Sequence, residues 1–273
     1  MDNDDLPVGR LLTRRDALRL IAGATAVAGA GRWYAFAAPL EGATVPACVA
    51  KPELTEGPYF VDEKLERSDI RGEPGGGALT PGVPLALSFA VSRLANNTCS
   101  PLAGALVDVW QCDAQGAYSD VNDPGFNTAG KKFLRGFQRT DNDGVARFTT
   151  VYPGWYRGRT VHIHFKIRTT APSNAAYEFT SQVFFDDAFS DRLFAEQPAY
   201  KRPGKRDTLN GDDFIFRESR GQLLLPVTTT TKGLTAALDV ALDLSNVEVG
   251  RPDGEGGRGR RGGRRGGRPP GSP

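Results

Sequence analysis

The sequence predicts an all-β fold: a β-sandwich core with long loops and few short helices. Three observations predict it. The apolar runs are short and rich in Val, Phe, Thr and Ile, and most alternate apolar with polar residues. Clusters of Gly, Pro, Asn and Asp separate them, as in "EPGGG", "LANNTCSP", "DNDG", "PGWYRGR" and "APSN". Helical periodicity is weak, and 39% hydrophobic residues suffice for a real core.

Taken in order, "PLALSFAVSRL" (84–94) alternates cleanly and reads as a strand with one buried face. "GALVDVWQCD" (104–113) is a second strand, running into a glycine turn and then Tyr118. "DNDG" is a turn that feeds "VARFTTVY" (145–152). After the turn at Pro153-Gly154 comes "TVHIHFKIRT" (160–169), and then "YEFTSQVFFD" (177–186). "DDAFSDRLFAE" (186–196) reads as a short helix, and "ALDVALDLSNVEV" (237–249) as a last strand. No internal repeat is present.

The two ends are of different character. "LLTRRDALRLIAGATAVAGAGRWYAFAAP" has a basic start, a short apolar stretch and small residues. Leu20 to Gly31 is much shorter than the roughly 20 residues a membrane-spanning helix requires. Thr13-Arg14-Arg15-Asp16-Ala17-Leu18-Arg19 resembles a twin-arginine export signal, and Ala35-Phe36-Ala37 a cleavage site. Residues 1–38 are therefore expected to engage the twin-arginine translocon and to direct export to the periplasm, cell envelope or exterior. That route carries proteins already folded, which suits a protein that takes up a metal before leaving the cytoplasm. Residues 39–250 form the expected folded domain. Residues 251–273 are Gly-, Arg- and Pro-rich without apolar residues and are expected to be disordered. This tail carries +5 of a net +2, which leaves −3 on residues 1–250. The basic character thus belongs to the tail, and a specific nucleic-acid-binding domain is not implied. Cys48, Cys99 and Cys112 allow one internal disulfide at most, with Cys112 either a buried thiol or half of a bridge.

The chain has two histidines, and they stand one residue apart. On a strand, His162 and His164 share one face while Ile163 and Phe165 share the other, so two imidazoles can hold one metal ion. By itself an HxH pair is as often two half-exposed strand residues. Its neighbours change the balance: Tyr152 and Tyr156 flank the preceding turn, Arg159 follows, and Tyr118 ends the upstream strand. A phenol with a pKa near 10 is a poor ligand at neutral pH, but a hard trivalent cation stabilises the phenolate. Two histidines with two tyrosines suit ferric iron, in contrast to the two-His-one-carboxylate set typical of ferrous oxygenases.

"TEGPYF" (55–60), "VDVWQCDAQGAYSD" (107–120), "FLRGFQRTDNDGVARFTTVYPGWYRGRTVHIHFKI" (133–167) and "SQVFFDD" (181–187) together resemble the intradiol ring-cleavage dioxygenases. The resemblance implies a β-sandwich catalytic core holding non-haem Fe(III). It implies Tyr118, Tyr156, His162 and His164 as ligands, with Tyr156 rather than Tyr152 because it follows the Pro-Gly turn by two residues. It places the active-site arginine at Arg159 and the active-site glutamine at Gln182. Gly57, Pro58 and Tyr59 become candidate substrate-pocket residues. The implied reaction inserts both atoms of O2 into an aromatic 1,2-diol and cleaves between the hydroxyl-bearing carbons, giving a muconate-type dicarboxylate. Tyr156 is the ligand implied to leave and to accept a substrate proton. The sequence is short before "TEGPYF" and lacks the helical region that catechol and hydroxyquinol members use to dimerise. That shifts the likeness toward the protocatechuate-type catalytic core and its exported single-domain relatives and leaves a homo-oligomer open.

Two other classes compete. An exported non-catalytic β-sandwich binding module could retain the strands, but the full Tyr118, Tyr156, His162, His164 set argues against it. A zinc hydrolase would recruit a carboxylate beside the histidines, and no acidic residue lies between Gly144 and Ala176.

Overall fold

The computed structural model describes residues 50–246 and Val249. The export-signal segment, Cys48 and the tail from 251 lie outside the described residues. The fold is mostly β, two sheets forming a sandwich with two short helices, as the alternation predicts.

One sheet is organised by its long strand β1 (Pro84–Ala95). β11 (Gly233–Leu242) runs parallel along one edge, and β10 (Thr228–Thr230) pairs antiparallel beyond it. The other edge of β1 serves two partners in series: β7 (Val145–Val151) over residues 84–90 and β2 (Thr98–Pro101) over residues 92–95. The second sheet is antiparallel throughout. It is ordered β6 (Arg135–Arg139), β3 (Leu106–Trp110), β8 (His162–Thr170) and β9 (Ala176–Phe184). A two-residue hairpin, β4 (Asn122–Asp123) with β5 (Phe126–Asn127), stands apart.

The core follows from period-two geometry. Leu85, Leu87, Phe89 and Val91 of β1 are buried, as are Ile163, Phe165 and Ile167 of β8. Phe89 and Phe165 meet between the sheets with ring centroids 5.0 Å apart. The helix expected at 186–196 is α1 (Asp187–Glu196), started by the Asp186 carboxylate accepting from Phe189 N at 2.7 Å. The second helix, α2 (Phe214–Ser219), was not expected. Asp213 caps it in the same way at 3.0 Å.

Two strand expectations need correcting. The strand at 104–113 stops at Trp110, because the Asp113 carboxylate accepts from Gln115 N and Ala117 N and turns the chain. The last strand runs from Gly233 to Leu242 rather than from 237 to 249, and Asp243 closes it by accepting from Ser245 N. Cys99 is disulfide-bonded, whereas Cys112 is a buried free thiol.

Candidate metal centre

The outward face of the four-stranded sheet is buried too, and it is polar. Cross-strand register sets Arg135, Trp110, His164 and Gln182 in one row across the four strands. Trp110 and His164 are direct partners, and their rings stack with centroids 4.9 Å apart and 14° between planes. His162 lies two residues back on the same face.

The tyrosines come from loops. Tyr118 follows the Asp113 turn, and Tyr156 ends the irregular segment 152–156, just before a turn at Arg157–Gly158 rather than just after one at Pro153-Gly154. The two loops touch backbone to backbone: Gly154 N donates to Asp113 O at 3.1 Å. Gly116 has φ +89°, and a Cβ there would strike the Trp155 carbonyl, so only glycine allows this docking. Arg202 stacks its guanidinium over the Trp155 ring and donates to Trp155 O at 2.9 Å.

The donor atoms converge. His162 Nε2 lies 3.1 Å from His164 Nε2, 3.1 Å from Tyr156 Oη and 3.3 Å from Tyr118 Oη. His162 Nδ1 donates to Thr160 O at 2.7 Å, which fixes the tautomer and leaves the Nε2 lone pair facing the cluster. Burial drives both imidazoles well below the ordinary histidine pKa, so they stand as neutral donors. Burial also raises both phenols, Tyr118 and Tyr156, above their ordinary value.

This arrangement fits a cation. Lone pairs about 3 Å apart are the separation expected of ligands roughly 2.0–2.1 Å from a common centre. The Nε2–H tautomer of His164 would hydrogen-bond His162 Nε2 across that 3.1 Å, whereas a cation between the rings would take both lone pairs. Among the described residues, no group of three or more His, Cys, Asp or Glu could hold a metal. The donor set therefore depends on the phenols, and a trivalent ion is what draws the proton from a phenol whose pKa is raised. Tyr152, the alternative tyrosine, points elsewhere: its hydroxyl bonds Ser190 Oγ at 2.7 Å.

Arg159 and Gln182 form a polar chain beside the donors. Arg159 Nε donates to Asp213 Oδ2 at 2.8 Å, and its other end donates to Gln182 Oε1 at 2.6 Å. Gln182 Nε2 in turn donates to Thr55 O at 2.9 Å. Burial alone would raise Asp213, but the Arg159 charge beside it holds the carboxyl below its ordinary range. Gln182 is thus committed at both ends to the protein.

The "TEGPYF" segment lies over the site. A Cβ on Gly57 would sit 3.3 Å from His164 Cε1, a tight contact, and its φ of +72° lies in the region that favours glycine. Tyr59 stacks on Tyr118 with centroids 4.6 Å apart, and its hydroxyl donates to Asp123 at 2.9 Å. Burial first, and then that bond, push the Tyr59 pKa up to about 12. Pro58 is exposed at the rim.

All nine residues singled out from the sequence therefore gather on this one face or its rim. The sequence reading missed Trp110, Arg135 and Asp213. Trp110 was findable, since continuing the alternation back from the turn puts Asp108 and Trp110 on one face of their strand. Asp213 had no signal, lying 54 positions from its partner.

Residues 55–209 match the protein family described as "Dioxygenase". An intradiol ring-cleavage dioxygenase from Tetranychus urticae is 30% identical over 73% of this chain and 97% of its own, with a TM-score of 0.62. The dioxygenase domain of a carbohydrate-binding fusion protein from Streptomyces sp. SirexAA-E is 31% identical, covering 71% of this chain and 99% of that one, with a TM-score of 0.50. A catechol 1,2-dioxygenase from Acinetobacter sp. ADP1, 21% identical over 74% of this chain and 67% of that one at a TM-score of 0.51, shares the fold.

Proposed function

The chain belongs to the intradiol ring-cleavage dioxygenase family, and from that premise we propose that it cleaves a catechol-type 1,2-diol at a ferric centre. Tyr118, Tyr156, His162 and His164 would hold the iron. When bound, ferric iron would supply a Lewis acid that engages the diol oxygens and makes the ring reactive toward O2. The single observation that carries this reading is the convergence of three other donor atoms within 3.3 Å of His162 Nε2.

The chain's own residues then have distinct tasks. Tyr156 is more exposed than Tyr118, and it sits in an irregular loop segment rather than beneath a stacked ring. It is the tyrosine suited to move aside and take a diol proton on its Oη. Tyr118 lies under Tyr59 and is held in place. The Arg159 guanidinium, anchored by Asp213 and Gln182, offers a permanent charge to negative charge developing on the substrate. Gln182 acts by orienting Arg159. Trp110 covers His164 and keeps water from that side. Gly57, Pro58 and Tyr59 form one wall of the diol site. Export through the twin-arginine route, argued from Thr13 to Arg19, belongs to the same proposal.

An oxygen electrode tests the reaction class. Purified protein given a panel of catechols should consume one O2 per diol and release a muconate-type dicarboxylate. Extradiol products, or no uptake with any diol by iron-replete protein, would overturn the reading.

A further inference from the structure

The wall segment at Gly57–Tyr59 is held from the same strand that carries the histidines. The outward face of β8 presents His162, His164, Lys166 and Arg168 at period two. The first two point at the metal centre. Lys166 is 2% exposed, an uncommon depth for a lysine. Its ammonium pairs with Glu56, lies 3.6 Å from Glu178, and sits 4.3 Å from the centroid of the Phe60 ring.

Those partners bracket the wall. Glu56 immediately precedes Gly57, whose backbone lies against His164. Phe60 immediately follows Tyr59 and packs on Trp110 with centroids 4.8 Å apart; Trp110 in turn stacks on His164. Arg168 repeats the pattern one step further along, pairing with Asp62 at 3.0 Å and with Asp108 at 2.8 Å. A buried pair of this kind gives little net stability, because desolvation offsets the attraction. What it supplies is register: a single geometry for the segment it grips.

Resting on the function proposed above, we propose that Lys166 is a positioning residue for the diol. It fixes Glu56 and Phe60, and through them the Gly57–Tyr59 wall, over the metal centre. It touches neither substrate nor metal.

The test uses Lys166→Met, Lys166→Arg, Glu56→Gln and the Lys166→Met/Glu56→Gln double variant in the full chain. In Lys166→Met, KM for the cleaved diol should rise about tenfold while kcat stays within about twofold, the pattern of lost ground-state positioning. Iron per chain should equal wild type. Backbone amides of residues 55–62 should exchange about tenfold faster, in the iron-free protein as well. Lys166→Arg, which keeps the charge and the ring contact, should stay within about threefold of wild-type KM. The double variant should be no worse than either single one, because the two residues act as a unit. If Lys166→Met does not fold, Glu56→Gln on the part-exposed loop carries the same expectations. A lowered melting temperature with unchanged KM and unchanged exchange would reduce Lys166 to ordinary packing and overturn the proposal. A wild-type chain that cleaves no diol overturns the function itself and the KM half of this inference. The exchange arm needs neither iron nor diol, so it decides the anchoring on its own.

Discussion

Along residues 162–167 of β8 the two faces of the four-stranded sheet are equally buried and differ in chemistry. On β8 the inward set Ile163, Phe165 and Ile167 and the outward set His162, His164 and Lys166 are all 2% exposed or less. The inward set meets another sheet, and its energy is apolar area and close fit. The outward set meets turns and a strap of chain. Every polar atom there must find a partner or pay desolvation, and a bound cation would satisfy the two facing imidazole nitrogens. Burial alone therefore does not separate core from site. The chemistry of the alternate residues does.

Substitutions on each face should break in different currencies. The largest effect expected is His164→Ala, which should abolish iron binding, measured by elemental analysis, while circular dichroism still reports a folded β protein. Unaltered iron content would remove His164 from the ligand set. Next comes Tyr156→Phe: iron is kept on three ligands, but turnover falls by roughly 10²–10⁴ because a proton acceptor is gone. Activity equal to wild type would assign the departing role to another group.

Arg159→Met should lower kcat by roughly 10²–10³ with a smaller change in KM, since its charge serves developing negative charge. An effect confined to KM would make Arg159 a binding residue instead. On the inward face, Ile163→Val should cost only about 0.5–1.5 kcal/mol of stability and leave iron and kcat unchanged. A loss of iron there would mean the two faces are not independent.

Acidification sharpens the same contrast in the iron-free protein. Both histidines have folded pKa values below the ordinary 6.5, so the unfolded chain binds more protons as pH falls through that value. Their contribution to stability is complete above about pH 6.5 and is lost below it. The melting temperature should drop between pH 7 and 5, and this drop should shrink when His162 and His164 are both replaced by Gln. An equal drop in the double variant would place the acid sensitivity elsewhere.

The inward face was legible in the sequence wherever its strands alternate. "PLALSFAVSRL" and "HIHFKI" announce their buried residues by alternation, and their observed strands begin or end within a few residues of the reading. The outward face was legible only where a rare residue type marked it. His162 and His164 stood out as the chain's two histidines, and the family resemblance, rather than the local pattern, selected Tyr156 over Tyr152. β6 was missed because "RGFQR" is polar on paper, and its Arg135 is buried with its guanidinium bonded to Ser119 Oγ, Ser119 O and Tyr59 O. Trp110 went unmarked although it faces the site and stacks on His164. Asp213 and Lys166 were invisible for a different reason. Their roles come from partners 54 and 110 positions away, at Arg159 and Glu56, and local pattern holds no record of such pairings.

The most direct test is the visible absorption spectrum of freshly purified protein, with iron measured in the same sample. Two phenolates on ferric iron give a charge-transfer band, so the account predicts a red protein with one iron per chain that loses both colour and metal together on chelation. A colourless protein that stays colourless and iron-free after incubation with ferric or ferrous salts would contradict it.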